Sequence, residues 1–116
     1  MQYRLDGHGN NVTPGEVVAL NGELVLVDLR PPAEFAAGHG PGAINVPLEA
    51  IETGWKGIDG RLPFVTVCRT GEVASRAATL LRASGRDAFA VIGGMVAWVA
   101  SGESLVTNSA ELPRLL

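Results

Sequence analysis

The sequence predicts an α/β domain: a mostly parallel sheet covered by helices on both faces. Two observations carry this. Short β-rich apolar runs recur along the chain, "LVLVD" at 24–28, "FVTVC" at 64–68 and the weaker "AFAVI" at 88–92. Between them lie segments of helical periodicity, and that alternation belongs to parallel sheets buried on both sides. With 116 residues, 47% hydrophobic and 18% charged, the chain has apolar material for one core and reads as one compact domain.

Taken in order, Thr13 and Pro14 cap and open a first helix that runs through Leu20. Asn21-Gly22 is a turn signal ahead of the first apolar run. Pro32 opens a short helix through Ala37, stopped at Gly38. The Gly-rich stretch 52–63 reads as a surface loop, since neither flank is long enough to fold alone. After the second run, "EVASRAATLLRAS" sets Val73, Ala77, Leu80, Leu81 and Ser84 along one helical face, with Gly85 as the stop. Glu72, Ser75, Thr79 and Arg82 fall on the other face. Gly93-Gly94 marks a tight turn, and 95–101 a last short helix in which Trp98 is expected in the core.

Charge and cysteine usage narrow the function. A net charge of -3 and nine scattered basic residues give no stripe for nucleic acid. No run approaches the roughly 20 apolar residues of a membrane span. The N-terminal stretch has no signal-like apolar core, so a soluble, cytoplasmic protein is expected. One cysteine builds no internal disulfide, and two distant histidines beside it make no metal-ligand spacing. No metal or other cofactor is expected, and His8 reads as solvent-exposed.

That cysteine, Cys68, ends a predicted buried strand, and a helix begins within a few residues. The connection "CRTGEV" then lies at the carboxyl edge of the sheet, where ligands bind in open α/β folds. Its free N–H groups and the positive end of the next helix favour negative charge there, and Gly71 permits the bend. Such a cradle suits a nucleophilic thiolate acting on a small anion. The competing reading is a buried cysteine acting as a small hydrophobe, and the residues alone leave both open.

Three segments together resemble the rhodanese (sulfurtransferase) family. "VDLRPPAEFAAGHGPGAINVPL" at 27–48 is similar to the family's Asp-x-Arg…Glu-Phe…Gly-His signature; "CRTGEVASRAATLL" at 68–81 resembles its active-site loop; "VIGGMVAWVASG" at 91–102 resembles its Gly-Gly-x-x-Ala-Trp ending. The resemblance implies a central parallel sheet of about five strands, with a domain core over about 12–105 between a polar N-terminal segment and a short C-terminal tail. It implies sulfur transfer in two steps. Cys68 takes the outer sulfur of a donor such as thiosulfate or a thiol persulfide. A second nucleophile, such as cyanide, a thiol or an acceptor protein, then removes it. By the same resemblance the backbone amides of Arg69, Thr70, Gly71, Glu72 and Val73 cradle the persulfide. Asp28 sits at the same sheet edge, Arg30 and Glu34 pair to brace the loop, and His39 is structural.

One position departs from the family pattern. Many catalytic members carry an Arg five residues after the cysteine; here Val73 stands there, and the nearest basic side chains are Arg69 and Arg76. Arg76 follows Glu72 by four residues, the spacing of a helix-surface pair. Loss of a charge-assisted contact of order 1.5–3 kcal/mol corresponds to a roughly tenfold to hundredfold loss of thiosulfate affinity, with the nucleophile untouched. The Cdc25-like phosphatases share the fold but need an Arg six residues after the cysteine, where this chain has Ala74. A binding or regulatory module that transfers nothing is the other alternative.

Overall fold

The three apolar runs form the middle of the sheet. The computed structural model describes residues 9–55, 57 and 61–116. In chain order these form β1 (Asn11–Val12), α1 (Pro14–Ala19), β2 (Val25–Asp28), α2 (Pro32–Ala37), β3 (Ile44–Asn45), α3 (Leu48–Glu52), β4 (Phe64–Val67), α4 (Glu72–Ala83), β5 (Ala88–Val91) and α5 (Gly94–Ala100). The strand order is β1-β5-β4-β2-β3, and every pairing is parallel. The predicted strands are therefore the central three. The two edge strands are two residues long, too short for any periodic signal in the sequence.

Period-2 alternation on β4 divides the core. Val65 and Val67 pack with Val17, Met95 and Trp98, the layer of α1 and α5. Phe64 and Cys68 face the other way, onto Ala74, Ala77 and Leu81 of α4 and Ile51 of α3. All four residues of β4 are buried, as a central parallel strand requires. Trp98 is 1% exposed, and its indole N–H donates to Ser104 O at 2.9 Å, so it belongs to the core as expected.

Local signals act much as the sequence suggests. Thr13 and Glu16 form a reciprocal capping box, the Thr13 hydroxyl accepting from Glu16 N at 3.2 Å and the Glu16 carboxylate from Thr13 N at 2.9 Å. Two expectations need correction. The inward face of α4 is Ala74, Ala77, Ala78 and Leu81, whereas Val73 is 40% exposed. The large apolar side chains misled the face assignment; three alanines let the helix close down on the sheet. Gly38 does end α2, as expected, and does so with an extended φ of 173°. A Cβ there would stand 2.5 Å from Arg114 O, because the C-terminal segment packs on α2, where Arg114 N donates to Ala37 O at 2.9 Å. The stretch 52–63 begins inside α3, whose last residue is Glu52. Residues 56 and 58–60 of that stretch, like His8, lie outside the described residues.

Candidate functional site

β4 delivers Cys68 to the carboxyl edge of the sheet beside Asp28, whose register partner is Val67. The chain then turns through Arg69, Thr70 and Gly71 (φ 126°) into the twelve-residue α4. Gly71 N donates to the Cys68 sulfur at 3.1 Å and Ala74 N at 3.4 Å. An anionic sulfur accepts such bonds more strongly than a neutral one. Cys68 is only 6% exposed and packs among the alanines of α4.

The other side of the loop is held by α5. Met95 N donates to Cys68 O at 2.8 Å and Val96 N to Arg69 O at 3.1 Å. A planar trans peptide points its N–H opposite to its C=O. With both carbonyls turned toward α5, the N–H groups of Arg69 and Thr70 point to the α4 side, which the sulfur occupies. Gly94 makes this approach possible. Its φ is +61°, and a Cβ there would lie 2.5 Å from Arg69 O and overlap Cys68 O. The sequence marked Gly93-Gly94 only as a turn; its close approach to the loop had no signal in composition.

The charged residues around the loop are distributed in a way the sequence did not reveal. The Glu72 carboxylate accepts from the Thr70 hydroxyl at 2.6 Å, and this bond, with one from its own N–H, holds its carboxyl below the ordinary range. Arg76 pairs with Glu52 of α3 at 3.1 Å, not with Glu72 one turn back. The Arg69 guanidinium donates to Leu116 O. Val73 stands at the second position of α4 with an aliphatic side chain.

Behind the loop, Arg30 does not pair with Glu34. Its Nη2 lies 2.8 Å from Asp28 Oδ2 and donates to Gly38 O at 2.7 Å, and its Nε contacts both Asp28 oxygens at 3.1 Å. Asp28 and Arg30 are 0% and 3% exposed, so this is a buried bidentate pair rather than a surface one. Two residues apart at a strand end, they meet across the bend, where the helical spacing to Glu34 does not apply. Asn45 clamps the same bend, donating to Asp28 O and Arg30 O at 2.9 and 2.8 Å. His39 is buried, stacked on Phe35 at 3.9 Å with Nδ1 2.7 Å from Phe35 O, so its ring is committed to α2. Thr66, which the sequence did not single out, ties β4 to the first turn of α4 through Ala74 O at 2.7 Å.

Beside the loop a shallow depression is lined by Asn11, Thr70, Gly71, Glu72, Ile92 and Gly93. A more enclosed apolar hollow, among Val17, Leu24, Leu26, Pro41 and Trp98, includes no residue of the Cys68 loop. Among the described residues no three His, Cys, Asp or Glu side chains gather as a metal site, and no helix is long and apolar enough to cross a membrane.

The family model for the rhodanese-like domain matches residues 13–101. The chain belongs to the rhodanese-like domain family. A crystal structure of a rhodanese-related protein from Thermoplasma volcanium superposes with a TM-score of 0.78 at 22% identity, over 84% of this chain and 97% of that one. A rhodanese-like domain protein from Staphylococcus aureus gives 0.73 at 29% identity, over 86% and 99%. An HTH-type transcriptional regulator of Mycobacterium tuberculosis is 36% identical over 83 residues, 70% of this chain but 37% of the regulator. The rhodanese-like domain thus spans little more than a third of that curated relative, and matches the two solved domains nearly end to end.

Proposed function

We propose that this rhodanese-like domain is a sulfurtransferase that carries sulfane sulfur as a persulfide on Cys68. The observation that carries the reading is the convergence of the Gly71 and Ala74 N–H groups on the Cys68 sulfur, at the start of a twelve-residue helix. In the first step the Cys68 thiolate attacks the outer sulfur of the donor. A new S–S bond forms, the donor's own S–S bond breaks, and its electron pair leaves on sulfite or on a thiolate. In the second step an acceptor (cyanide, a thiol, or a thiol of a partner protein) takes the outer sulfur and returns Cys68 as thiolate. Electrons balance in both steps without an external oxidant. In this reading the amides of Arg69, Thr70, Gly71, Glu72 and Val73 cradle the transferred sulfur and stabilise its charge. Asp28 and Arg30 position the neighbouring strand end and touch no reacting atom. A cytoplasmic setting, where thiols stay reduced, suits such a cysteine.

Intact-mass spectrometry after incubation with thiosulfate, and separately with a thiol persulfide, tests this. The expected result is a gain of one sulfur mass, reversed by cyanide or thiol and absent in Cys68→Ser. No gain from either donor, with Cys68 unreactive to iodoacetamide at neutral pH, would leave the second reading, a module that docks a partner and transfers nothing. That reading draws support from the naming of the 36%-identical relative as a transcriptional regulator. A phosphatase reading lacks its arginine, since Ala74 occupies the position and is fully buried.

A further inference from the structure

The charges of the active-site loop have an arrangement that bears on which donor the site accepts. Among the described residues, three charged side chains lie on or next to the loop: Arg69, Glu72 and Arg76. The guanidinium of Arg69 is drawn to Leu116 O, and that of Arg76 to Glu52 at 3.1 Å. Arg30, behind the loop, is buried and neutralised by Asp28 at 2.8 Å. The acid is arranged in the opposite sense. The Glu72 carboxylate is held onto the loop by the Thr70 hydroxyl at 2.6 Å, and Thr70 and Glu72 both line the depression there. Gly71 N is 3.1 Å from the sulfur and adjacent in chain to Glu72 N. Chain geometry therefore keeps the carboxylate on the order of 10 Å from the sulfur, about one Debye length at 0.1 M salt.

We infer that Glu72 is a charge filter that turns the site away from dianionic donors and toward sulfane-sulfur donors with at most one negative charge, thiol persulfides rather than thiosulfate. The inference rests on the persulfide reading of Cys68 and goes beyond it. The missing arginine at Val73 only withholds an attraction. Glu72 adds a repulsion. A dianion meets this repulsion twice as strongly as a monoanion of similar shape.

A matched pair of donors isolates the effect. Thiosulfate and methanethiosulfonate ion present the same outer sulfur on the same hexavalent sulfur, but a methyl group replaces one charged oxygen. Cys68 displaces sulfite from the first and methanesulfinate from the second, and each leaving group keeps the electron pair of the broken S–S bond. Persulfide formation at Cys68 would be timed by mass spectrometry with each donor, in wild type and Glu72→Gln, at low and high salt. The expected outcome is a rise of about twofold at low salt in the thiosulfate-to-methanethiosulfonate rate ratio in Glu72→Gln. In wild type, added salt should raise the same ratio, and in Glu72→Gln it should raise it much less. A ratio unchanged by the substitution, with both donors loading sulfur, would overturn the filter and leave the sulfur-transfer reading standing. Loading by neither donor nor by a thiol persulfide, in either protein, would overturn both.

Discussion

Replacing Gly94 by alanine tests the idea that α5, rather than the loop itself, sets the loop's shape. Two costs add. An L side chain at a φ of +61° occupies left-handed space, costing about 1–2 kcal/mol. The new Cβ also meets Cys68 O and Arg69 O, the acceptors of Met95 N and Val96 N at 2.8 and 3.1 Å. Displacing both bonds costs about 1 kcal/mol each. The sum is about 3–4 kcal/mol, or a fall in Tm of about 12–16 °C at roughly 4 °C per kcal/mol for a domain of this size. Gly85→Ala is the control, because Gly85 has a φ of +95° but nothing within 4 Å of its Cβ position; it should show the conformational cost alone. Urea unfolding measures stability, and timed persulfide loading of the folded variant measures the loop. Gly94→Ala within about 1 kcal/mol of Gly85→Ala, with unchanged loading, would refute the reasoning.

Arg30→Met leaves Asp28 buried without its partner and should cost about 3–5 kcal/mol in urea unfolding. The double variant Asp28→Asn/Arg30→Met should recover part of that loss, and additive losses would contradict a coupled pair. Val73→Arg should raise thiosulfate loading of Cys68 roughly tenfold to a hundredfold, read from initial rates at subsaturating donor. Glu72 links stability to acid: its folded carboxyl titrates below the ordinary value of 4.5, so its contribution is present above that pH and is lost as pH falls through the lower folded value. The urea midpoint of wild type should therefore drop further than that of Glu72→Gln on acidification below pH 4.5, and parallel curves would remove the Thr70–Glu72 bond as its cause.

What the sequence made legible follows from the length scale of each signal. β2, β4 and β5 announce themselves because buried parallel strands are continuous apolar runs, and the capping box writes α1 into four adjacent residues. β1 and β3 pair through only two residues each, which leaves no pattern to read. The loop that ends β4 was legible as a strand-to-helix connection because strand, glycine and helix follow one another directly. Its long-range supports were not. Arg30 chooses Asp28 over Glu34, and Arg76 chooses Glu52 over Glu72, because chain bends and a neighbouring helix bring those carboxylates nearer than helical spacing does. Thr66 looks like any β-former until its hydroxyl is found on Ala74 O.

The carbonyls of Cys68 and Arg69 are already engaged by α5 before any sulfur arrives. Under the proposed function, forming the persulfide would freeze few new backbone torsions in those residues, with little interaction energy spent on ordering them. The loop behaves as a mould cast by a segment some 25 residues downstream. The loop's geometry thus depends on the start of α5, and substitutions there, away from the cysteine in sequence, bear on the Cys68 site as much as on the fold.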